Sequence, residues 1–211
     1  MKNSIKYWPL ALLIVFSAGR SAAQTSEHPW SLGIDGLANI LQGDYNNHPL
    51  SFSGDLYLNY DMGTWFSLSA AFSLGELKMK LDPNEQERLG YPPELRTDYT
   101  SLELYGVIPI YTAVFTPEIF LGAELVHFNT KSADGAAPLP AIPAFKNDAF
   151  GILLGLAFEF RIDSRFSATA KTILHLAMTD HLDYYPIGSN DAFTTFGAGI
   201  SYRFGKDSAS Q

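Results

Sequence analysis

Hydrophobic and polar positions alternate most regularly between residues 149 and 178, in two runs that meet near Ser164. In the first run every second residue from Phe150 to Ile162 is apolar, and in the second every second residue from Phe166 to Met178 is uncharged. Successive side chains on a strand point to opposite faces, so each run predicts a β-strand with one uncharged and one more polar face. Both runs exceed the usual strand of about 5–6 residues and reach the roughly 9–11 residues of a membrane-crossing strand.

The same alternation recurs along the chain and predicts eight strands. They cover residues 30–41, 50–62, 65–77, 98–110, 115–128, 149–163, 165–178 and 191–204. The links between strands 2 and 3, 4 and 5, and 6 and 7 are short, whereas residues 78–97 and 129–148 are charged or proline-rich and predict long loops. Barrels of the bacterial outer membrane have an even strand count, short periplasmic turns and long outer loops.

Charge placement separates a membrane barrel from a soluble one. On the predicted outward faces the ionisable residues are Glu76, Asp98 and His127, and all three fall at the long-loop ends of their strands. A charge at the bilayer midplane costs up to about 2–4 kcal/mol and much less at the rims, whereas a lipocalin-type barrel has a wet exterior. The sequence therefore predicts an all-β fold, an eight-stranded antiparallel up-and-down transmembrane β-barrel in the bacterial outer membrane.

The composition and the N-terminal segment indicate a secreted protein and argue against cysteine-dependent sites and nucleic-acid binding. The 211 residues contain no cysteine, which excludes disulfides and thiolate zinc sites. Residues 1–23 combine Lys2 and Lys6 with a short apolar run and a small-residue exit, and predict a secretory signal peptide. Cleavage of this segment removes three of the 14 basic residues, so the barrel segment 24–211 has 11 basic and 22 acidic residues. The residues after 204 are expected to form a short periplasmic tail. No basic cluster indicates nucleic acid as a partner.

The pattern from Trp30 to Phe204 resembles the small eight-stranded outer-membrane barrels, the OmpA/OmpX-like group. The resemblance implies an integral protein of the Gram-negative cell envelope, in contact with outer-membrane lipid and lipopolysaccharide. It also implies that the barrel-assembly machinery reads the closing strand, with Gly199, Tyr202 and Phe204 as its signal. This sequence departs from the family at Gly197, where a polar residue is usual, and in the tail that follows Phe204.

The predicted inward faces carry more acids than bases. The charged residues of this predicted lumen network are Asp35, Asp55, Glu103, Glu118, Glu124, Glu159, Arg161, Lys171 and Arg203, with His175 close in register. One interpretation is a buried salt-bridge network that fills an interior just wide enough for side chains. The other is a narrow proton, cation or small-solute path along the excess carboxylates. We expect no cofactor, and the spacing of His175, His181 and Asp183 predicts no metal site.

Two further functions compete. Lipid A 3-O-deacylases use an outward histidine two residues before a serine, and His127 is placed similarly, but Asn129 stands where the serine is required. His127 is therefore the only catalytic candidate, and the chain is not expected to be an enzyme. The alternative that the sequence favours is a structural or surface-interaction barrel, with a plugged lumen, that binds extracellular partners through loops 78–97 and 129–148.

Overall fold

The computed structural model describes residues 29–42, 49–63, 65–81, 83, 86, 92–110, 115–133, 147–182 and 190–205. Within these ranges the chain forms eight strands, which are β1 (Trp30–Gln42), β2 (Ser51–Asp61), β3 (Ser67–Lys80), β4 (Glu94–Pro109), β5 (Thr116–Ser132), β6 (Asp148–Arg161), β7 (Phe166–Ala177) and β8 (Ala192–Phe204). Each strand pairs antiparallel with the next, and β8 pairs with β1 from Trp30↔Phe204 to Gln42↔Ala192, so the sheet closes. The predicted fold is confirmed. The predicted signal peptide, 1–23, lies outside the described residues.

The two ends of the barrel differ. The end that carries the β2–β3, β4–β5 and β6–β7 connections, together with Trp30 and Phe204, is called here the short-turn end, and the opposite end is the long-loop end. In outer-membrane barrels the short turns face the periplasm. Among the described residues, no helix is long and apolar enough to cross a membrane.

The outward face is uncharged through the middle of each described strand, as the alternation predicts. Leu121, Leu154 and Leu174 stand side by side on β5, β6 and β7, and the first two are 62% and 49% exposed. The described residues leave these large apolar side chains uncovered, and lipid is the solvent that suits them. Aromatic residues cluster outward at the short-turn end, where an interfacial girdle is expected; they include Trp30, Tyr60, Phe66, Phe160, Phe166, Tyr202 and Phe204.

The β6–β7 turn shows why a short polar segment suffices to reverse the chain. Oδ1 of Asp163 accepts hydrogen bonds from the backbone N–H groups of Arg165 and Phe166, both at 2.7 Å. The backbone N–H of Ile162 also donates to the carbonyl of Phe166 at 2.9 Å. The two N–H donors stabilise the carboxylate and lower the pKa of Asp163.

The predicted loops 78–97 and 129–148 are too long, because the strands continue past the membrane. β3 extends to Lys80, β4 begins at Glu94 and β5 extends to Ser132, so the connections are residues 81–93 and 133–147. Alternation persists there with its polarity reversed: Leu77 and Met79 are fully buried inside the barrel, while Lys78 and Lys80 point outward. The charges that suggested a loop lie on the water-facing side of a strand.

Two apolar clusters fill the interior. The long-loop cluster closes one end of the barrel and consists of Leu41, Leu77, Met79, Leu81, Leu95, Tyr99, Val126, Phe128, Ala149, Ala177, Leu182 and Phe193. The short-turn cluster lies in the other half and consists of Ala71, Tyr105, Val107, Phe120, Leu153, Ala157 and Ile173, with Tyr57 packed against it. Most of the charged residues of the lumen lie between these two clusters or nearer the short-turn end.

Candidate functional site in the lumen and at the rim

Lys171 is the centre of a buried ion cluster in the lumen. Its Nζ lies 2.5 Å from Oδ2 of Asp35 and 2.5 Å from Oδ2 of Asp55, and the three side chains are almost fully buried. The same ammonium group stands 5.2 Å from the centre of the Tyr57 ring. Asp35 on β1, Asp55 on β2 and Lys171 on β7 all occupy inward positions, as predicted. Burying these charges is tolerable because each is paired.

Ser73 joins this ion cluster to a second group of acids. Its Oγ lies 3.0 Å from Oδ1 of Asp55 and 2.8 Å from Oε1 of Glu103. One hydroxyl has a single proton to share between these two carboxylates. Ser101 Oγ donates to the same Glu103 oxygen at 2.8 Å. Among the described residues, Glu103 therefore has serine hydroxyls as its hydrogen-bond donors and no cationic side chain.

The second group is completed by an imidazole. Nδ1 of His175 lies 3.0 Å from Oε2 of Glu124, and its Nε2 lies 3.3 Å from Oγ1 of Thr195. The His175 ring stacks on Phe193 of the long-loop cluster, with the ring centres 4.1 Å apart and the planes 8° from parallel. The imidazole is thus fixed in position on both nitrogens and on one face. Glu103, Glu124 and His175 are called here the Glu–Glu–His cluster.

The remaining predicted network residues lie nearer the short-turn end. Glu159 and Arg203 form an ion pair across β6 and β8. Glu118 lines the same mouth of the lumen, beside a cavity of about 60 Å³ that has room for a few water molecules. Arg161 is exposed at the end of β6, and no ion pair joins it to the other described charged residues, so it does not take part in the predicted network. The structure therefore divides the predicted network into a deep part and a mouth.

A row of ion pairs crosses the outside of β3, β4 and β5 on the long-loop side of the apolar band. Lys78, Arg96 and Lys131 stand side by side across β3, β4 and β5. Glu76 lies 2.8 Å from Lys78 and 3.0 Å from Arg96, and Asp98 lies 2.7 Å from Arg96 and 2.5 Å from Lys131. These five residues are called here the outer charged belt. Its position places it where a membrane offers polar head groups and water.

His127 lies outward beside this belt, and the structure supplies a partner that sequence reasoning missed. Nδ1 of His127 is 2.8 Å from Oδ1 of Asp148, and both side chains are exposed. Thr100 stands directly opposite His127 on β4, but no hydroxyl among the described residues hydrogen-bonds to the imidazole. The pair borders an outward groove of about 540 Å³ lined by apolar residues such as Leu125 and Phe150.

The predicted assembly signal divides between the two faces of β8. Tyr202 and Phe204 point outward, and their rings lie 6.5 Å apart. Gly199 points inward opposite Asp35 of β1, and a Cβ at Gly199 would come within 1.8 Å of Oδ1 of Asp35. Gly199 therefore has a steric reason to be glycine that is independent of recognition. Its proposed role for the assembly machinery stays a prediction.

A closed eight-stranded barrel with an apolar exterior and a filled interior has counterparts among known proteins. The family model described as "Outer membrane protein beta-barrel domain" matches residues 9–204. The chain belongs to this family. It is an integral β-barrel protein of the bacterial outer membrane, and the predicted resemblance to small outer-membrane barrels is confirmed. No curated protein sequence matches the chain.

Solved structures of small outer-membrane barrels share this fold. Neisserial surface protein A has a TM-score of 0.54 at 11% identity, over 83% of this chain and 97% of that chain. Ail of Yersinia pestis, in complex with the heparin analogue sucrose octasulfate, has a TM-score of 0.52 at 15% identity, over 83% and 97%. AlkL in lipid bilayers has a TM-score of 0.50 at 12% identity, over 90% and 97%. At these identities the likeness establishes the fold.

Proposed function

We propose that this chain is a non-conducting outer-membrane barrel that binds an extracellular partner through the segments at its long-loop end. The observation that carries the proposal is the long-loop cluster, which closes the lumen with side chains such as Leu77, Leu95 and Phe128 that are fully buried. A solute or hydrated ion would have to pass between these packed groups, and eight strands leave no space around them.

In this arrangement the long-loop end is the part of the molecule that remains available for an extracellular partner. The outward face meets lipid, and the lumen is occupied by its own side chains. The strands β3, β4 and β5 rise beyond the apolar band and carry the connections 81–93 and 133–147 above the membrane. Connections of this length exceed what closure of a hairpin requires. Ail, a protein of the same fold, was solved with a heparin analogue, which supports an extracellular ligand as the type of partner.

The outer charged belt fits contact with lipopolysaccharide. Three cations, Lys78, Arg96 and Lys131, share two acidic partners, so one positive charge remains uncompensated within the belt. Phosphate groups of outer-leaflet lipid are anions at the same level of the membrane. Paired surface charges contribute little stability individually, which favours a role for the belt at the interface over a role in folding.

Loop replacement tests the binding proposal. Short Gly-Ser connectors replace residues 82–91, between β3 and β4, and residues 134–146, between β5 and β6. Both replacements lie outside the strands and leave all eight of them intact. We expect normal insertion, scored by heat-modifiable gel mobility, with loss of complementation of the surface phenotype of the null strain.

The matched control keeps both segments at their natural length and composition but scrambles their order. If the scrambled variant fails like the shortened one, the residue order of the loops carries the function. A shortened barrel that complements the null strain fully would place the function in the barrel wall or lumen and would contradict the proposal.

A further inference from the structure

The Glu–Glu–His cluster contains acceptor atoms that the protein does not satisfy. Oε2 of Glu103 and Oε1 of Glu124 are buried without a hydrogen-bond partner, and the two residues are only 5% and 2% exposed. A buried carboxylate oxygen without a donor carries a desolvation cost, and native proteins seldom leave one so. Together with an imidazole nitrogen of His175, one oxygen from each acid lies within 4.8 Å of the others.

The charge of the middle lumen indicates what is missing. Asp35, Asp55, Glu103 and Glu124 are four buried carboxylates. Lys171 and, when it is protonated, His175 supply two positive charges at most. Lys171 forms ion pairs with Asp35 and Asp55. The His175 imidazole is therefore the remaining source of positive charge for the two glutamates. A divalent cation between them would remove this excess of negative charge.

The surroundings of the cluster also suit a bound ion. Serine hydroxyls on Glu103 and Thr195 on His175 orient the side chains from behind, which is the usual arrangement around a metal site. Gly151 stands opposite Glu124 on β6, and a Cβ at Gly151 would come within 2.5 Å of Oε1 of Glu124. The glycine thus leaves room for the carboxylate to be where it is.

We propose that Glu103, Glu124 and His175 bind a divalent transition-metal ion, of the kind represented by Zn²⁺, inside the barrel. Imidazole favours Zn²⁺ and its neighbours over Mg²⁺ and Ca²⁺, which prefer all-oxygen sites. In the bound state Nδ1 of His175 is a ligand and its Nε2–H donates to Oγ1 of Thr195. Zn–N and Zn–O bonds of about 2.0–2.2 Å require the ligand atoms to draw slightly closer together.

Metal content of the purified full-length barrel tests this site. The protein is refolded in detergent from metal-free urea, and Zn²⁺ is supplied either during refolding or afterwards, because packed side chains close both approaches to the cluster. After dialysis, elemental analysis is expected to give one Zn²⁺ per chain by at least one route. Co²⁺ in place of Zn²⁺, held by the three side chains and one water molecule, is expected to give visible absorption bands of a four-coordinate ion.

Substitutions locate the ion. Glu124→Gln and His175→Gln are expected to retain less than a tenth of the wild-type metal, while His127→Gln and Asp148→Asn, which alter an exposed histidine–carboxylate pair of the same chemistry, retain all of it. Thr195→Val is expected to weaken Zn²⁺ binding about tenfold and Thr195→Ser to preserve it, since a positioning residue acts through its hydroxyl.

Heat-modifiable mobility selects the variants that fold, and Glu103→Gln replaces any that does not. Wild-type protein without stoichiometric metal by either route would overturn the proposal and assign water to the unpaired oxygens. Metal that survives the lumen substitutions, or that is lost with the exterior pair, would overturn it equally.

Discussion

Arginine substitutions along the outward face of β5 measure where the membrane ends. Leu121, Leu125 and Asn129 share this face at intervals of four residues. A strand rises about 3.4 Å per residue, and a tilt of about 40° converts four residues into a depth of roughly 10 Å. The residues on this face are apolar from Phe115 to Leu125 and polar from His127 onward. These ten residues cover roughly 26 Å at the same rise and tilt, which matches an apolar band of about 25 Å centred near Leu121.

The expected cost follows the depth of each position. Leu121 lies between Gly106 and Leu154, so an arginine there has no polar neighbour, and Leu121→Arg is expected to reduce the free energy of unfolding by about 2–4 kcal/mol. Leu125→Arg lies roughly 10 Å from the midplane and is expected to cost about 0–1 kcal/mol. Asn129→Arg adds a cation beside Asp98 in water and is expected to cost about nothing.

Equilibrium unfolding in guanidinium with phospholipid vesicles, followed by tryptophan fluorescence, gives these free energies. Leu121→Ala is the control that separates the charge from the lost side chain. Equal costs at Leu121 and Asn129 would show that the polar continuation of β5 is embedded in lipid and that the assignment of its two ends is wrong.

Three further results are expected. Purified protein in planar bilayers should show no stable conductance of porin size, because the long-loop cluster fills the lumen; reproducible steps would contradict the non-conducting proposal. Gly199→Ala should lower the folding yield through its contact with Asp35, while Gly36→Ala, whose Cβ would meet nothing within 4 Å, should fold normally; equal yields would remove the steric explanation. His127→Ala should leave the lipid A of the cell unchanged by mass spectrometry, because no hydroxyl among the described residues hydrogen-bonds to its imidazole; an altered acylation pattern would favour a lipid A deacylase.

The membrane-spanning half of the fold could be predicted because a single physical demand governs it. Lipid requires every second residue to be apolar over the width of the band, and that period is visible in one sequence. Residues such as Phe72, Leu104 and Ile200 are exposed on the outward face, and Ser73, Glu103 and Ser201 are buried on the inward face, as the alternation requires. Strand number, pairing order and closure followed from the same pattern.

The same reasoning failed for the parts of β3, β4 and β5 that extend above the membrane. The strands continue there, but their outward side faces water instead of lipid. Outward residues there meet water, and inward residues such as Met79, Leu95 and Phe128 meet one another. The pattern of Lys78, Met79 and Lys80 therefore has the period of a strand with its polarity exchanged. A rule that assigns apolar residues to the outside interprets such a segment as a loop, and it also misses the apolar closure of the lumen.

The partners within the lumen lie beyond sequence reasoning for a different reason. Parity places Asp55 and Lys171 on the inward face, but whether they meet depends on their heights, and these are set by the registers accumulated over several strand pairs. A slip of two residues in any one pair keeps every side chain on its face and moves it by about 7 Å along the strand. That distance exceeds the 2.5 Å contact between Lys171 and Asp55, which are 116 residues apart in the chain. The closed barrel therefore determines that Lys171 pairs with Asp35 and Asp55, whereas Glu103 and Glu124 are grouped with His175. This division leaves the two glutamates without a lysine or arginine partner, which is why we propose that they bind a metal cation.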